Sequence, residues 1–452
     1  MADAPAQEAA KPSWRRTLAG MRQPRAVEML ALGFASGLPF LLTGATFGFW
    51  LADAGTALTA IGFLSWVGLA YSFKYLWAPL IDRLPAPFLG KLGRRRGWAL
   101  FAQLTIAAAL VAMAIIGPHG PGGLVAIGAL ALVVAFASAT QDIAVDAWRI
   151  ESATDSEDLG LLTSAFQLGY RAALLVTDAL ILIFAQHLGW PISYLIMAAF
   201  MGIGIFASLR TPEPTRADAV MEEKEKSAPI WTPRGLFDAV IGPFIAFFRV
   251  HGPIALLMLL MISLYRLPEF VIGPVAGPFY HDLGLSKDLI GGVRGSIGLV
   301  ASIVGIAAGG ACALRLGFIR TLILGAILQG IGVAMYALVA HTGPDIRIFA
   351  LAMASDNFCY AFAGVALVTY MSSLTSLGYT ATQYALMSST YTIFGKFLKG
   401  FSGAVVDNLA LTHPKMEAYA LFYLGAGAVC LPALILCFFL TAHTAKVAPA
   451  PA

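Results

Sequence analysis

Long apolar runs separated by short polar segments make up most of the chain. Twelve runs are long enough to cross a bilayer as helices, which takes about 20 residues each, and we number them spans 1 to 12. Their predicted limits are 27–51, 59–81, 97–117, 121–150, 159–187, 189–209, 252–281, 287–314, 318–340, 346–377, 379–409 and 417–442. Spans 5 and 6, and spans 10 and 11, are so close in sequence that length alone divides them. The pattern predicts an all-α membrane protein with twelve transmembrane helices in two six-helix halves.

The longest polar segment, 210–250, lies between spans 6 and 7. We therefore expect a basic cytoplasmic segment at 1–26, an N-terminal bundle at 27–209, a cytoplasmic linker at 210–250, a C-terminal bundle at 251–442 and a cytoplasmic tail at 443–452. The first segment is not followed by the short apolar core and small-residue cleavage site of a signal peptide.

Apolar residues recur with helical spacing in the second part of the linker, which predicts an interfacial helix lying on the cytoplasmic surface. Pro243 is expected to kink it. The stripe comprises Leu236, Phe237, Val240, Ile241, Phe244, Ile245 and Phe248.

Lysine and arginine are distributed unevenly between the two sides of the predicted membrane. If the N-terminus is cytoplasmic, the outer loops hold only Lys287, Arg347 and Lys415, whereas the inner segments hold many basic residues. Because short cytoplasmic loops carry an excess of Lys and Arg, both termini are expected in the cytoplasm. The inner set comprises Lys11, Arg15, Arg16, Arg22, Arg25, Arg83, Lys91, Arg94, Arg95, Arg96, Arg210, Arg216, Lys224, Lys226, Arg234, Arg249, Arg315, Arg320 and Lys446.

Composition supports a membrane protein and excludes a soluble one. Apolar residues make up 59% of the 452 positions, charged residues 12%, and the mean hydropathy is +0.78. A soluble surface cannot be covered with so little charge. The four cysteines are widely spaced inside apolar runs, with no metal-binding or disulfide pattern.

The loop after span 2 has a second diagnostic feature. Asp82 and Arg83 are followed by Gly93 and a basic cluster, Arg94, Arg95 and Arg96. Two sets of six spans with an Asp-Arg pair, a Gly and a basic cluster at this place are typical of the major facilitator fold. We predict that these residues form a cytoplasmic gate. The alternative is a loop whose charges only orient the protein.

Charged residues at membrane depth are the candidate functional residues, because each costs about 2.5–3.5 kcal/mol at a helix centre unless it faces a cavity or a partner. The cations are Lys74, Arg171, Arg266, Arg294, Lys396 and Lys399. The acids are Asp142, Asp146, Asp178, Glu269 and Asp356.

Spacing suggests roles for several of them. Asp142 lies roughly 12 Å from the cytoplasmic end of span 4, with Asp146 on the same face. Two nearby carboxylates disfavour joint ionisation, so Asp142 is a candidate proton carrier, with Asp178, Asp146, Glu269 and Asp356 as further candidates. Asp146 could instead pair with Arg83 or with the 94–96 cluster. Arg266 and Glu269, three apart, could simply pair with each other, and Lys399 could extend outward rather than into a cavity.

The cations predict an anionic or zwitterionic solute with several polar groups, because Arg recognises carboxylate or phosphate through paired hydrogen bonds. Amide and aromatic side chains add hydrogen-bonding and stacking surface, although they also connect helices. The candidate substrate-binding residues are Arg171, Gln141, Tyr170, Arg266, Arg294, Lys396, Tyr370, Tyr391 and Lys74, with Gln167 and Gln383 as additional polar groups.

Glycine and proline mark two spans. In span 1, Gly33, Gly37, Gly44 and Gly48 allow close packing or bending. In span 7, Pro268, Pro274 and Pro278 predict a break near the outer end.

Six segments resemble the AmpG-type anhydromuropeptide permeases, a branch of the major facilitator superfamily. They are 33–43 (GFASGLPFLLT), 69–82 (LAYSFKYLWAPLID), 93–98 (GRRRGW), 138–148 (SATQDIAVDAW), 168–171 (LGYR) and 379–388 (YTATQYALMS). The family's TQD segment corresponds to Thr140, Gln141 and Asp142. The spacer before the basic cluster is longer than usual and contains Pro85 and Pro87.

That resemblance implies proton-coupled import of N-acetylglucosaminyl-anhydro-N-acetylmuramyl peptides through a bacterial inner membrane by alternating access. The resemblance implies that the proton gradient supplies the energy and that no cofactor is needed. The expected partners are an anionic glycopeptide, protons and the bilayer, with no nucleic acid. The protein is expected to be a monomer. The alternative is transport of another organic anion, such as a CoA ester. A remote alternative is an integral-membrane transferase, but the seven scattered histidines and the lack of HExxH or P-loop motifs argue against an enzyme.

Overall fold

The computed structural model describes residues 23–56, 60, 64–120, 122–215, 220, 222–223 and 232–447. The predictions for the N-terminal basic segment 1–22, for most of the centre of the linker and for the end of the tail lie outside this part. All regular structure within the described residues is helical.

Ten of the twelve predicted spans are helices long and apolar enough to cross a membrane. In order, spans 1, 3, 4, 5, 6, 7, 8, 9, 10 and 12 correspond to Pro24–Asp53, Arg94–Ile116, Gly123–Ser152, Ser156–Leu188, Trp190–Arg210, Ile254–Asp282, Leu289–Leu316, Phe318–Thr342, Ile346–Ser373 and Lys415–Thr441. The division of span 5 from span 6 is confirmed at Gly189, whose positive φ of 81° ends one helix and begins the next.

Spans 2 and 11 consist of shorter helices. The described part of span 2 contains 3₁₀ segments Ser65–Ser72 and Lys74–Leu76 and the α-helix Ala78–Arg83. Span 11 contains Thr380–Leu398, a 3₁₀ turn Lys399–Phe401 and Ser402–Ala410. Both spans carry charged side chains that face the other half of the molecule, so irregular backbone occurs where it is covered by protein.

Several long spans contain internal breaks. Span 1 divides into Pro24–Leu42 and Ala45–Asp53, and span 12 into Lys415–Ala428 and Leu431–Val447. Spans 5 and 8 each contain one π-helical turn, Val176–Leu180 and Arg294–Gly298. These turns lie between Ser156–Leu175 and Ile181–Leu188, and between Lys287–Val293 and Leu299–Leu316.

The break in span 7 differs from the prediction. It falls at Arg266, between Ile254–Tyr265 and Leu267–Asp282, rather than near the outer end. Pro268 occupies the first turn of the second helix, where its missing N–H is tolerated. Pro274 and Pro278 lie inside that helix. The prediction was wrong because it treated the three prolines as equivalent, although only the first begins a helix.

The linker forms two helices, Pro233–Val240 and Gly242–His251, which divide at Ile241 just before Pro243. The predicted kink is therefore confirmed as a break. Phe237, Val240, Ile245 and Phe248 are exposed to between 42% and 55% of their surface. These exposed apolar side chains are what an interfacial helix presents to a membrane surface.

Glycine allows the spans that carry the site to pack closely. Span 1 lies against span 5, and a Cβ at Gly37 would come within 2.7 Å of the Tyr170 carbonyl oxygen. Span 8 lies against span 10, where a Cβ at Gly309 would be 3.0 Å from the Phe362 carbonyl oxygen. Backbones this close leave no room for a side chain. The close-packing interpretation of Gly37 is confirmed.

Candidate functional site: a charged cavity between the two halves

A cavity of about 890 Å³ lies between the halves, lined by spans 1, 2, 4 and 5 on one side and 7, 8, 10 and 11 on the other. Its volume is in the range of sites for drug-sized or larger solutes. Predicted site residues that line it are Lys74, Asp142, Asp146, Tyr170, Arg171, Arg266, Glu269, Tyr391 and Lys396. Gln167 and Lys399 line it as well, so Lys399 contributes to the cavity wall.

Two arginines from different halves share one aromatic ring in the cavity wall. The guanidinium carbon of Arg171, in span 5, lies 4.3 Å from the ring centre of Tyr360, and that of Arg266, in span 7, lies 4.6 Å from it. Glu269 accepts a hydrogen bond of 2.6 Å from Nε of Arg266. The pairing of Arg266 with Glu269 is thus confirmed, and both side chains still face the cavity.

The acids of span 4 have different partners. Asp146 lies 3.2 Å from Nη2 of Arg149 and 3.8 Å from Nζ of Lys74. Pairing of Asp146 with Arg83 or the 94–96 cluster is therefore wrong, because Arg149, one turn further along the same helix, is closer. For Asp142, the structure gives Oδ1 no hydrogen-bond partner among the described residues, although the atom is buried.

Arg149 was missed by the sequence reasoning. It is fully buried, donates to Thr163 Oγ1 at 2.6 Å and lies 5.4 Å from the ring centre of Tyr384. Because it lies near the cytoplasmic end of span 4, it resembles the basic residues that only orient a membrane protein. Its spacing of three residues from Asp146 could have indicated an ion pair between them.

Lys396 connects span 11 to span 2. Its Nζ donates to Ser72 Oγ at 2.8 Å and to the Gly68 carbonyl at 3.4 Å. Neither of these oxygens carries a charge that would offset the ammonium group. With Lys74, Arg171, Arg266 and Lys399 it gives the cavity wall five cations against three acids, Asp142, Asp146 and Glu269.

Aromatic residues form much of the remaining wall. Tyr391 was predicted there, whereas Tyr71, Tyr360, Tyr384, Trp66, Phe166 and Phe270 were not singled out. Tyr384 and Tyr391 are seven residues apart and share a helix face, which was the available signal. Such side chains can stack on sugar rings and donate hydrogen bonds.

Six residues predicted for the site lie outside the cavity wall. Gln383 donates instead to the Pro243 carbonyl of the linker at 2.9 Å. Gln141 is buried and donates to Ser36 Oγ of span 1 at 3.2 Å. Tyr370 is 3% exposed within the C-terminal core, and Asp356 accepts a hydrogen bond of 3.3 Å from Tyr336. Asp178 and Arg294 are exposed within the two π-helical turns. Their placement in the cavity is corrected, because depth in a span does not specify which face a side chain occupies.

The predicted gate residues meet at the cytoplasmic end of the cavity. Asp82 accepts hydrogen bonds from the backbone N–H of Thr382 at 2.8 Å and from its Oγ1 at 2.7 Å. These groups begin the helix of span 11, whose N-terminal dipole favours an anion. Asp82 therefore connects the two halves.

Arg95 holds Asp82 from the other side. Its Nη2 lies 2.8 Å from Asp82 and 2.5 Å from Glu151. Glu151 also accepts a hydrogen bond of 3.0 Å from Nε of Arg95. We call Asp82, Arg95 and Glu151 the cytoplasmic triad. Glu151 was not predicted. Arg94 donates to the Asp82 carbonyl at 2.6 Å, whereas Arg96 binds the Leu209 carbonyl at 2.7 Å and lies outside the triad.

The linker joins the same region. Asp238 pairs with Arg83 from the N-terminal half and accepts a hydrogen bond of 2.7 Å from Tyr379 of the C-terminal half. Nearby, Glu213 accepts from the backbone N–H groups of Arg95 and Arg96 at 2.7 and 2.9 Å, capping the start of span 3. Burial raises the pKa of Glu213, while these two bonds favour its charged form.

The fold and the cavity define a solute transporter, and comparison with known proteins agrees. Residues 29–397 match the Major Facilitator Superfamily. The described helices superpose on a proton:xylose symporter, XylE, with a TM-score of 0.65 at 13% identity, covering 94% of this chain and 96% of that one. A bacterial homologue of the iron transporter ferroportin in an outward-facing state gives 0.64 at 16% identity, with 94% and 99% covered.

Relatives found by sequence similarity indicate which branch of the major facilitator superfamily the chain resembles. The anhydromuropeptide permease of Escherichia coli (strain K12) is 36% identical over 417 residues, which cover 92% of this chain and 79% of that protein. The putative transporter AmpG 4 of Rickettsia felis is 30% identical over 419 residues, covering 92% and 96%. The chain belongs to the AmpG-type branch of the major facilitator superfamily. It is a multi-pass bacterial membrane transporter and not an enzyme.

Proposed function

We propose that this protein imports N-acetylglucosaminyl-anhydro-N-acetylmuramyl peptides through the inner membrane, driven by the proton gradient. The observation that supports this most directly is the cavity of about 890 Å³ with five cations, three acids and many aromatic side chains. A glycopeptide offers carboxylates to the cations and sugar faces to the aromatic rings. The similarity to the Escherichia coli permease supports the same substrate class.

Asp142 is the proposed proton carrier. It lines the cavity, where substrate and protons both have access, and its Oδ1 has no hydrogen-bond partner in the described structure. Asp146, in contrast, is paired with Lys74 and Arg149, so its charge has nearby counter-charges. Asp142 interacts with Ser36 and, at longer range, with Lys74, but it has no ion pair among the residues that the structure describes. A carboxyl outside an ion pair is better suited to gaining and losing a proton in each cycle. Glu269 is the second candidate in the wall, and Asp178 and Asp356 lie outside it.

Alternating access is the proposed mechanism, with the cytoplasmic triad and Asp238 as the inner gate. These groups connect the halves below the cavity through Asp82 and Thr382, and through the linker. Release toward the cytoplasm would require both connections to open. We place both termini in the cytoplasm on the distribution of Lys and Arg. The proposal needs neither a cofactor nor a second subunit.

Uptake into proteoliposomes tests the proposal. Wild-type protein should accumulate labelled anhydromuropeptide only when a proton gradient is imposed. Asp142→Asn should abolish accumulation and retain counterflow exchange, because a neutral amide still completes the cavity but carries no proton. Asp146→Asn, on the same face, is the comparison variant: with uptake normalised to the amount of folded protein, it should still accumulate substrate when the gradient is imposed. Normal accumulation by Asp142→Asn contradicts the assignment, and stronger competition by a CoA ester or a simple dicarboxylate favours the other organic-anion function.

A further inference from the structure

The ring of Tyr360 is the only group in the described cavity wall that contacts a guanidinium from each half. Arg171 and Arg266 lie 4.3 and 4.6 Å from its centre. Glu269 neutralises Arg266. Arg171 has no ion pair among the described residues, and its buried Nη2 has no hydrogen-bond partner there.

Asp356, one turn before Tyr360 on span 10, interacts electrostatically with Arg171 but forms no ion pair with it, so the Arg171 guanidinium keeps a free donor. Guanidinium groups stay protonated, and the π face of a tyrosine stabilises each of them without removing its charge. A buried donor without a partner costs about 1–3 kcal/mol. The empty site is therefore less stable than the same site with a hydrogen-bond acceptor bound to Arg171.

We propose that Arg171 and Arg266 form a subsite for one carboxylate of the substrate, and that Tyr360 is the positioning residue that holds Arg171 ready for it. The inference rests on the proposed function and assigns a part of that cavity to one chemical group. A carboxylate matches the planar guanidinium fork. Glu269, within hydrogen-bonding distance of Arg266, leaves the subsite with a single net positive charge and disfavours a phosphate dianion.

Tyr360 has this role through its ring rather than its hydroxyl. With both guanidinium groups against the ring, its faces are less available for a sugar than those of Tyr391. Tyr360→Phe should keep the subsite, because it retains the ring. Tyr360→Leu should release Arg171 to other rotamers while leaving a hydrophobic side chain of moderate size.

Binding to full-length protein in nanodiscs tests the proposal, with an anhydromuramyl tripeptide and its fully amidated analogue as probes. Wild type should prefer the acid by about 10–100-fold, the loss expected when charge-assisted bonds of about 1.5–3 kcal/mol are removed. Arg171→Gln and Tyr360→Leu should bring the preference to within about threefold, because the acid loses more affinity than the amide does. Tyr360→Phe should behave like wild type.

A thermal unfolding transition like that of wild type shows that the variants are folded. Equal binding of acid and amide by wild type overturns the subsite alone, as does a full preference retained by Tyr360→Leu. Wild type that binds neither probe overturns the proposed function and the subsite with it. Stronger competition by a phosphomonoester than by the matching carboxylate overturns the preference for a single charge.

A second inference comes from the register of spans 5 and 8. A Cβ on Gly160 would lie 3.1 Å from Leu314, Ser164 contacts Gly310, and Leu168 packs on the cluster that contains Ile306. The two spans run antiparallel, so a residue four positions further along span 5 lies opposite a residue four positions earlier in span 8. Continued outward, this antiparallel register places Asp178 within two residues, or about 3 Å, of the level of Arg294.

Asp178 and Arg294 both lie in π-helical turns, which are rare and recur at functional positions. Asp178 follows Arg171 and Leu174, two cavity-lining residues, on the same helical face. Neither charge has an ion pair within the part of the chain that the structure describes; Arg294 interacts with Asp356 of its own half only at longer range. We infer that Asp178 and Arg294 form an ion pair between the halves when the outer ends of spans 5 and 8 approach each other.

A charge swap tests this pair. Asp178→Asn and Arg294→Gln should each reduce uptake about tenfold, the effect of about 1.4 kcal/mol, and the double variant Asp178→Arg, Arg294→Asp should recover to within about threefold of wild type. Cross-linking of cysteines at the two positions by a short bifunctional reagent should increase when substrate is added, whatever the transport rate. A swap no better than the single variants, or absence of cross-linking in every state, overturns the pair.

Discussion

Two charged regions lie at the interface between the halves, and they differ in how completely their polar atoms are satisfied. In the cytoplasmic triad, every side-chain nitrogen of Arg95 donates a hydrogen bond, and both oxygens of Asp82 accept. In the cavity, Asp142 Oδ1 and Arg171 Nη2 have no partner among the described residues.

The difference separates stabilising charges from functional ones. A buried charge with complete hydrogen bonding stabilises one arrangement of the halves, because removing any member leaves another uncompensated. A buried polar atom without a partner lowers stability and is retained where a ligand or proton can satisfy it. Burial alone does not distinguish the two regions.

The largest expected effect is in the triad. Glu151→Ala removes a partner from Arg95 and should lower the free energy of unfolding by about 3–5 kcal/mol. The measurement is thermal unfolding in detergent, followed by tryptophan fluorescence. Glu157→Ala, an exposed acid of the same region, should change stability by less than about 0.5 kcal/mol. Equal destabilisation by Glu151→Ala and Glu157→Ala would show that the cytoplasmic triad does not stabilise the protein more than an exposed acid does.

A smaller effect is expected where the triad meets span 11. Thr382→Val preserves shape and removes the Oγ1 bond to Asp82, a loss of about 1 kcal/mol. The cytoplasmic end should open more often, so a cysteine placed at Ser388, in the cavity wall, should react about fivefold faster with a maleimide applied from that side. Thr380→Val is the control, since its hydroxyl bonds only within its own segment. Unchanged labelling would show that Asp82 does not hold the gate.

The smallest effect on stability is expected in the cavity. Asp142→Asn should leave the melting temperature unchanged or slightly raised, because Oδ1 has no bond to lose, an amide oxygen can still accept from Ser36, and a buried charge is removed. Asp146→Asn should lower it, since Lys74 and Arg149 lose their counter-charge. Similar destabilisation by both variants would mean that Asp142 is structural.

Much of the fold could be predicted from the apolar pattern. Ten of the twelve spans appear as long helices within a few residues of their predicted limits. Spans 2 and 11 could be located, but their division into short helices could not, because Lys74 and Lys396 are accommodated by contacts with other spans. The break in span 7 required knowing which proline begins a helix.

The candidate site was predicted in part. Arg171 and Arg266 could be predicted from the sequence, because a charged residue at membrane depth is unfavourable unless it faces a cavity or a partner. Arg149 and Glu151 could not, since residues near a span end have no such cost when solvated. Gln141 was assigned to the cavity from its residue type and Asp356 from its depth, although their side chains bond to Ser36 and Tyr336.

The sequence by itself determined that the chain is a membrane protein of two halves, because bilayer thickness sets the length of an apolar run and scarce charge must be accommodated. Only the tertiary structure decided which charges share the cavity and which close its cytoplasmic end. Helix rotation and the pairing of distant spans select the face and the partner of each side chain. Asp142 and Asp146, one turn apart, show the result, since one is left unpaired at Oδ1 and the other is held by two cations.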